Sequence, residues 1–373
     1  MRISPSRNRT LRTSPRTPHR PRPLRAALAA LAALAALVLL PALGTGATAS
    51  ASADQADDLS AQQKAGHFGF AVIGDVPYGA AQIAAFPSMV DRINAEPGLA
   101  LAVHVGDIKN GSSPCTDEYN AMIRTQFDRF VAPLLYTPGD NEWTDCHRVA
   151  AGGYHPLERL AAVRETFFAQ PGRTRGADPI TVDSQAARGL PENVSLRRQG
   201  LSMATLHVVG SNNDLAPWTG LGLTSPTREQ VAEERARMDA TIDLVRETFA
   251  QARLRHDRAV VLFQQADMFD PTFAPTPAGT SSFNRLVQAL VDEASTFDGE
   301  VYLFDGDSHH YNVDRPLATG SRWLGHYDVE GTADNLTRVT VDGEEQNTDF
   351  LKVTVNRPGA AHVLSWDRVP YAD

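Results

Sequence analysis

The chain has 373 residues, room for one large domain or two smaller ones. Residues 1–25 carry eight arginines and no acid; without that segment 27 basic residues face 44 acidic ones, a net charge of −17. A surface that acidic repels nucleic-acid backbones, which argues against DNA or RNA as a partner and suits a protein that binds cations.

An apolar Ala/Leu/Val run, 26–43, follows the basic segment and leads through small residues to Ala51-Ser52-Ala53. This pattern predicts a secretory signal peptide over 1–53 and a secreted, extracellular protein with no stable membrane insertion after cleavage. No Arg-Arg pair precedes the run, which points to the general export route. The alternative is an uncleaved single membrane anchor, since the run is nearly long enough to span. Residues 54–66 read as a flexible lead-in and 67–373 as one domain.

From there, apolar runs predict strands at 68–73, 99–105, 134–137, 204–209, 259–263 and 301–304. Helical spacing marks 83–93, 117–131, 157–168 and 283–294. Residues 172–200 are polar and read as an irregular insertion. Ser225 is the expected N-cap, with Pro226 first in a long helix reaching about residue 253. The last runs, 338–341, 350–355 and 361–366, are strands without helices between them. Alternating strands and helices followed by consecutive strands predict an α/β fold whose sheet has antiparallel members. Cys115 and Cys146 follow two successive strands. In an oxidising compartment a lone pair reads as a disulfide, the alternative being two independent thiols.

The chemistry concentrates at strand ends. Asp75 follows "FAVIG", Asp107 follows "AVHVG", Asp140 follows "LLYTPG" and Asp307 follows "YLFDG". In α/β sheets ligands collect at the carboxyl ends of strands, and glycine lets a strand turn sharply there. Four carboxylates meeting at such a rim repel one another unless a cation neutralises them. The segment "GDNEWTDC" is then either a polar surface turn or one wall of a cation site. His104 and His207 sit mid-strand and read as packed or capped rather than catalytic.

The order and spacing of these pieces resemble the calcineurin-like metallophosphoesterases, the superfamily that includes purple acid phosphatases. The segments that carry the resemblance are "GDVPYG" (74–79), "GDIKNG" (106–111), "GDNEW" (139–143), "FQQADMF" (263–269) and "GDSHHY" (306–311). The family pattern has Asp-x-His, Gly-Asp-x-x-Asp, Gly-Asn-His-Asp/Glu, a strand-end His and Gly-His-x-His. Here Pro77 replaces the first histidine and Asn110 the last acid of the second motif. Asp140 stands at the ligand Asn, Asn141 at the histidine that assists the leaving group, Gln265 at the strand-end His, and Asp307 at the first histidine of the last motif.

The resemblance implies a four-layer α/β/β/α sandwich of mixed sheets with a C-terminal run of antiparallel strands. It implies one ion held by Asp75, Asp107 and His309, and a second held by Asp107, Asp140, Asp307 and Gln265. The cofactors would be one or two divalent ions among Mn, Mg, Ca, Fe and Zn; the oxygen-rich set favours Mn, Mg or Ca. The implied activity is hydrolysis of a small-molecule phosphomonoester or phosphodiester by a metal-bridging hydroxide. Catalytic candidates are Asn141 as a hydrogen-bond donor and His310, Glu142 or His147 as proton donors. Lys109, Asn110 and Asn212 are expected to contact substrate, a surface role for Lys109 being the alternative. The competing expectation is a non-catalytic metal-binding or partner-binding protein on the same scaffold.

Overall fold

The computed structural model describes residues 68–372; the expected signal peptide and the whole of the expected lead-in lie outside them. Two mixed sheets pack face to face. The first has the order β12-β11-β1-β2-β3, built from β1 (Gly69–Ile73), β2 (Leu99–His104), β3 (Leu134–Tyr136), β11 (Asp349–Val355) and β12 (Leu364–Pro370). The second has the order β4-β5-β6-β7-β8-β10-β9. Its strands are β4 (Asp183–Gln185), β5 (Leu190–Arg198), β6 (Leu201–Thr205), β7 (Ala259–Phe263), β8 (Glu300–Asp305), β9 (Asn312–Asp314) and β10 (Leu336–Thr340).

Strand alternation explains the layering. Phe70, Val72, Leu101 and Val103 point inward against Met203, Val261, Phe263 and Phe304 of the second sheet. Their neighbours Ala71, Ile73 and Ala102 point outward beneath α1 (Gly79–Ala95), α2 (Asp117–Phe127) and α3 (Pro156–Phe167), through Phe86, Val90, Phe127 and Val163. On the other side Val260, Leu262 and Leu303 pack beneath α4 (Arg228–Arg255) and α5 (Asn284–Ala294), through Val245, Phe249 and Leu290. Sheets buried on both faces need continuous apolar strands, and "GFAVI" and "AVVLF" supply them. The fold is the expected α/β/β/α sandwich.

Three local expectations are corrected. The polar stretch 172–200 contains β4 and β5; β5 lies antiparallel to β6 and buries Glu192, Asn193 and Val194 in a row, so polar residues interrupt what would otherwise read as an apolar run. Helix α4 is capped by Thr227, not Ser225: Thr227 Oγ1 accepts from Gln230 N, and Gln230 Oε1 accepts from Thr227 N, a reciprocal capping box. Among the C-terminal strands β11 and β12 are antiparallel, but β10 lies parallel to β8.

The parallel runs β1-β2-β3 and β6-β7-β8 give the site its location. Their carboxyl ends share one rim of the sandwich, and the loops leaving them face one another. Among the described residues no helix is long and apolar enough to cross a membrane.

Candidate metal centre

Each carboxylate of the rim stands two to four residues past the end of a strand. Asp75 leaves β1, Asp107 leaves β2, Asp140 follows β3 and Asp307 follows β8. Three of them hold left-handed backbone, Asp75 at φ 51°, Asp107 at 57° and Asp307 at 69°; His309 does so at 61°. Non-glycine residues pay in strain for that conformation, and its recurrence at one rim marks a built site. The preceding glycines provide room as well as turns. A Cβ on Gly106 (φ 105°) would lie 2.8 Å from the Gln265 Cβ, and one on Gly306 would overlap the Asp75 carboxylate.

The structure brings the expected acids together. Asp75, Asp107 and His309 offer one atom each within 4.8 Å of one another, and so do Asp107, Asp140 and Asp307. Asp107 belongs to both groups. Its Oδ1 accepts from Asn141 N (3.1 Å), and its Oδ2 accepts from Asn141 Nδ2 (2.9 Å), Tyr78 OH (3.1 Å) and Gln265 Nε2 (3.2 Å). Asp75 accepts from Asp307 N at 3.1 Å and lies 3.3 Å from His309 Nε2. Asp140 Oδ2 accepts from Ser211 Oγ (3.1 Å).

Burial and mutual repulsion dominate the electrostatics. The Asp107 carboxyl is raised well above the usual range by burial and then by Asp140, Glu142, Asp75 and Asp307. Burial and Asp145 push Asp140 up to about 8, and burial with Asp140 and Asp75 raises Asp307. Among the described residues local cations are few. Burial lowers the Lys109 ammonium against the pull of Glu142 and Asp107, and Arg148 is paired with Asp145 at 2.5 Å.

A divalent cation fits this donor set. Four aspartates and a histidine converge with too little positive charge to balance them, and hard carboxylate oxygens suit Mn²⁺, Mg²⁺ or Ca²⁺. A Cβ on Gly210 would lie 2.6 Å from Asp140 Oδ2 and 2.9 Å from Asp307 Oδ1, so the absence of a side chain there keeps the space between those two carboxylates open.

Other expected residues are placed differently. Gln265 is at the rim, but Gly210 N donates to its Oε1 (2.7 Å), so the amide nitrogen faces Asp107 and Asp140. A backbone N–H can only donate, which fixes the amide's orientation and makes Gln265 a hydrogen-bond donor to the carboxylates instead of an oxygen ligand. Asn110 does not reach the rim: its Oδ1 accepts from Ser112 N and Oγ and from Ser113 Oγ within its own turn. Asn212 is tied to the neighbouring loop, accepting from Ser282 N and donating to Ala278 O. Lys109 is not a surface lysine but buried, donating to Asn110 O at 3.2 Å.

The expected proton donors also separate. Glu142 Oε1 accepts from Ile108 N (3.1 Å) and Tyr136 OH (2.8 Å), turning the side chain inward behind the Asp107 loop, with Oε2 buried and without a partner among the described residues. His147 Nδ1 accepts from Gly220 N, on a different loop. His310 is exposed. Cys115 and Cys146 form a disulfide that joins the loops carrying Asp107 and Asp140.

Both mid-strand histidines are buried. His104 bonds Val76 O through Nε2 and accepts from Gly106 N, and burial lowers it to about 4. Trp143 Nε1–H donates to His207 Nε2 (3.2 Å), so the His207 Nδ1–H donates to Glu192 (2.8 Å). Sequence reasoning missed Tyr78, Ser211 and Glu344. Tyr78 lies inside "GDVPYG", three residues after an expected ligand, where a buried hydroxyl could have been suspected. Ser211 and Glu344 carry no comparable signal.

No protein-family model matches the chain, and no curated protein sequence does. Among solved structures it is similar to the GAP50 anchor of the inner membrane complex of Plasmodium, at TM-score 0.43 and 10% identity over 82% of this chain and 85% of that one. It is similar to a purple acid phosphatase from yellow lupin seeds, at TM-score 0.41 and 12% identity over 83% of this chain and 52% of that one. It is also similar to a 5'-nucleotidase precursor from Thermus thermophilus, at TM-score 0.40 and 10% identity over 82% and 54%. The chain thus spans about half the length of the last two.

Proposed function

We propose that the chain is an exported, metal-dependent phosphoester hydrolase acting on a small-molecule monoester or diester. The observation that carries this reading is the position of Asp107, a buried carboxylate common to two groups of possible ligands. Asp75, Asp107 and His309 would hold one ion, and Asp107, Asp140 and Asp307 a second. Divalent ions bound there supply charge compensation and Lewis acidity toward a phosphoryl group.

The chain's own residues do the rest. Asn141 and Tyr78 orient Asp107 through the bonds described above. Ser211 and Gln265 do the same for Asp140. The disulfide restrains the relative position of the Asp107 and Asp140 loops. Lys109, buried against Asp107 and Glu142, supplies positive charge behind the rim. Of the three expected proton donors, His310 alone is solvent-accessible and adjacent to a ligand residue, and it is the group assigned to protonate the leaving oxygen.

The test is hydrolysis of p-nitrophenyl phosphate and bis(p-nitrophenyl) phosphate after chelation, with Mn²⁺, Mg²⁺, Ca²⁺, Fe²⁺ and Zn²⁺ returned singly. Release of p-nitrophenol with at least one ion is expected. Metal binding with no turnover under any ion would favour the second reading, a non-catalytic metal-binding scaffold. That reading has its own observation: Asn141, Tyr78 and Gln265 already satisfy Asp107 with protein donors.

A further inference from the structure

We propose that Glu344 is a positioning residue for His309, holding its imidazole so that Nε2 is the atom presented to a divalent cation beside Asp75. The inference rests on the metal-centre reading above. His309 Nδ1 lies 3.1 Å from Glu344 Oε2, while Nε2 lies 3.3 Å from Asp75 Oδ1. Both ring nitrogens face carboxylates, which only accept; a cation bound beside Asp75 would take the Nε2 lone pair, and Nδ1–H would then donate to Glu344. Carboxylate-to-histidine-to-metal relays of this kind fix the tautomer and raise ligand basicity.

The loop 342–347 is built around this contact. Gly343 N donates to His309 O (3.2 Å), and Glu344 N donates to Asp75 O (3.2 Å), so one short loop grips the backbone of both ligand residues. Asn347 Nδ2 donates to Gly74 O (3.3 Å), Asp342 Oδ1 accepts from Tyr311 N (2.7 Å), and Gln82 Nε2 donates to Glu344 O. A Cβ on Gly343 would lie 3.0 Å from the Asp75 Cγ and 3.0 Å from the His309 Cδ2. Glu344 itself holds φ 50°, strained backbone of the same kind as the ligands it serves. Tyr78 meets the His309 ring edge-on, with centroids 5.3 Å apart.

The Glu344 side chain is half exposed, so its removal leaves the core intact. The experiment is calorimetric titration of MnCl2 into chelator-treated wild-type protein and into the Glu344→Ala, Glu344→Gln and Glu345→Ala variants. Glu344→Ala is expected to raise the Mn²⁺ dissociation constant about 10–100-fold. Glu344→Gln, whose amide oxygen still accepts from Nδ1, should recover part of that loss. Glu345→Ala, which deletes the same charge one residue along, should leave the affinity within about twofold, because an exposed charge without a bond to a ligand is screened. Wild-type affinity in Glu344→Ala, or an equal loss in Glu345→Ala, overturns the proposal while the metal centre stands. No Mn²⁺ binding by wild-type protein would remove both.

Discussion

Asn141 reaches Asp107 twice: its backbone N–H donates to Oδ1 at 3.1 Å and its side-chain amide to Oδ2 at 2.9 Å. With Tyr78 and Gln265 on the same Oδ2, every protein donor around Asp107 is matched to a carboxylate. Asp107→Asn would turn an amide nitrogen toward those donors. Turnover of p-nitrophenyl phosphate should be lost, because the only acid common to both ligand groups loses its charge. Retained turnover would contradict the hydrolase reading.

The pH dependence of stability tests the charge crowding. In chelated protein Asp140 is held at about 8 by burial and Asp145, above its ordinary 3.8. A carboxyl raised on folding contributes stability that is fully present below the unfolded value and lost as pH rises through the folded one. The loss therefore falls between about pH 4 and 8, with a slope near ~1.4 kcal/mol per pH unit for each such carboxyl. Urea midpoints of the chelated protein should fall across that range, and the fall should be shallower in Asp140→Asn. A midpoint that rises from pH 5 to 8 would refute the assignment.

Gln265 separates ligand from hydrogen-bond donor. As a donor, its replacement by alanine leaves Gly210 N without an acceptor and two carboxylates short of a bond, a cost of about 1–3 kcal/mol in unfolding free energy. Mn²⁺ affinity should then change little. A tenfold or greater loss of affinity would restore Gln265 to the ligand set.

Gly210→Ala tests the room between Asp140 and Asp307. Gly210 is outside the left-handed region, so alanine there meets neighbours rather than backbone strain. The added methyl should weaken Mn²⁺ binding at least about tenfold, while the crowding against the two carboxylates costs the chelated protein about 1–3 kcal/mol of unfolding free energy. Unchanged titration curves would place the ions elsewhere.

Removing the disulfide by Cys115→Ser with Cys146→Ser opens a loop of 31 residues. Chain entropy assigns such a loop about 3–4 kcal/mol. Stability should drop by that order, and turnover should fall further than stability alone explains, since the bridge joins the Asp107 and Asp140 loops. Chemical denaturation and steady-state rates on the double variant measure the two effects separately.

Much of the architecture was legible because the central strands of both sheets are buried on both faces, and continuous apolar strands followed by Gly-Asp are hard to mistake. The 172–200 stretch was not. β5 carries adjacent polar residues, Glu192-Asn193 and Arg197-Arg198, which break the strand pattern, and its pairing with β6 is a tertiary matter. Residue spacing likewise placed Asp75, Asp107, Asp140, Asp307 and His309 at strand ends. It carried no information about Ser211, which meets Asp140 from 71 residues away.

Local composition by itself determined which side chains stand at the strand ends, because strand length and turn chemistry are short-range properties of the chain. Only the tertiary structure decided which way those side chains face. Gly210 N turned the Gln265 amide, Ser112 and Ser113 drew Asn110 away, and the 342–347 loop set Glu344 against His309. Hydrogen-bond partners come from distant segments, and a buried polar group adopts the orientation its partners allow.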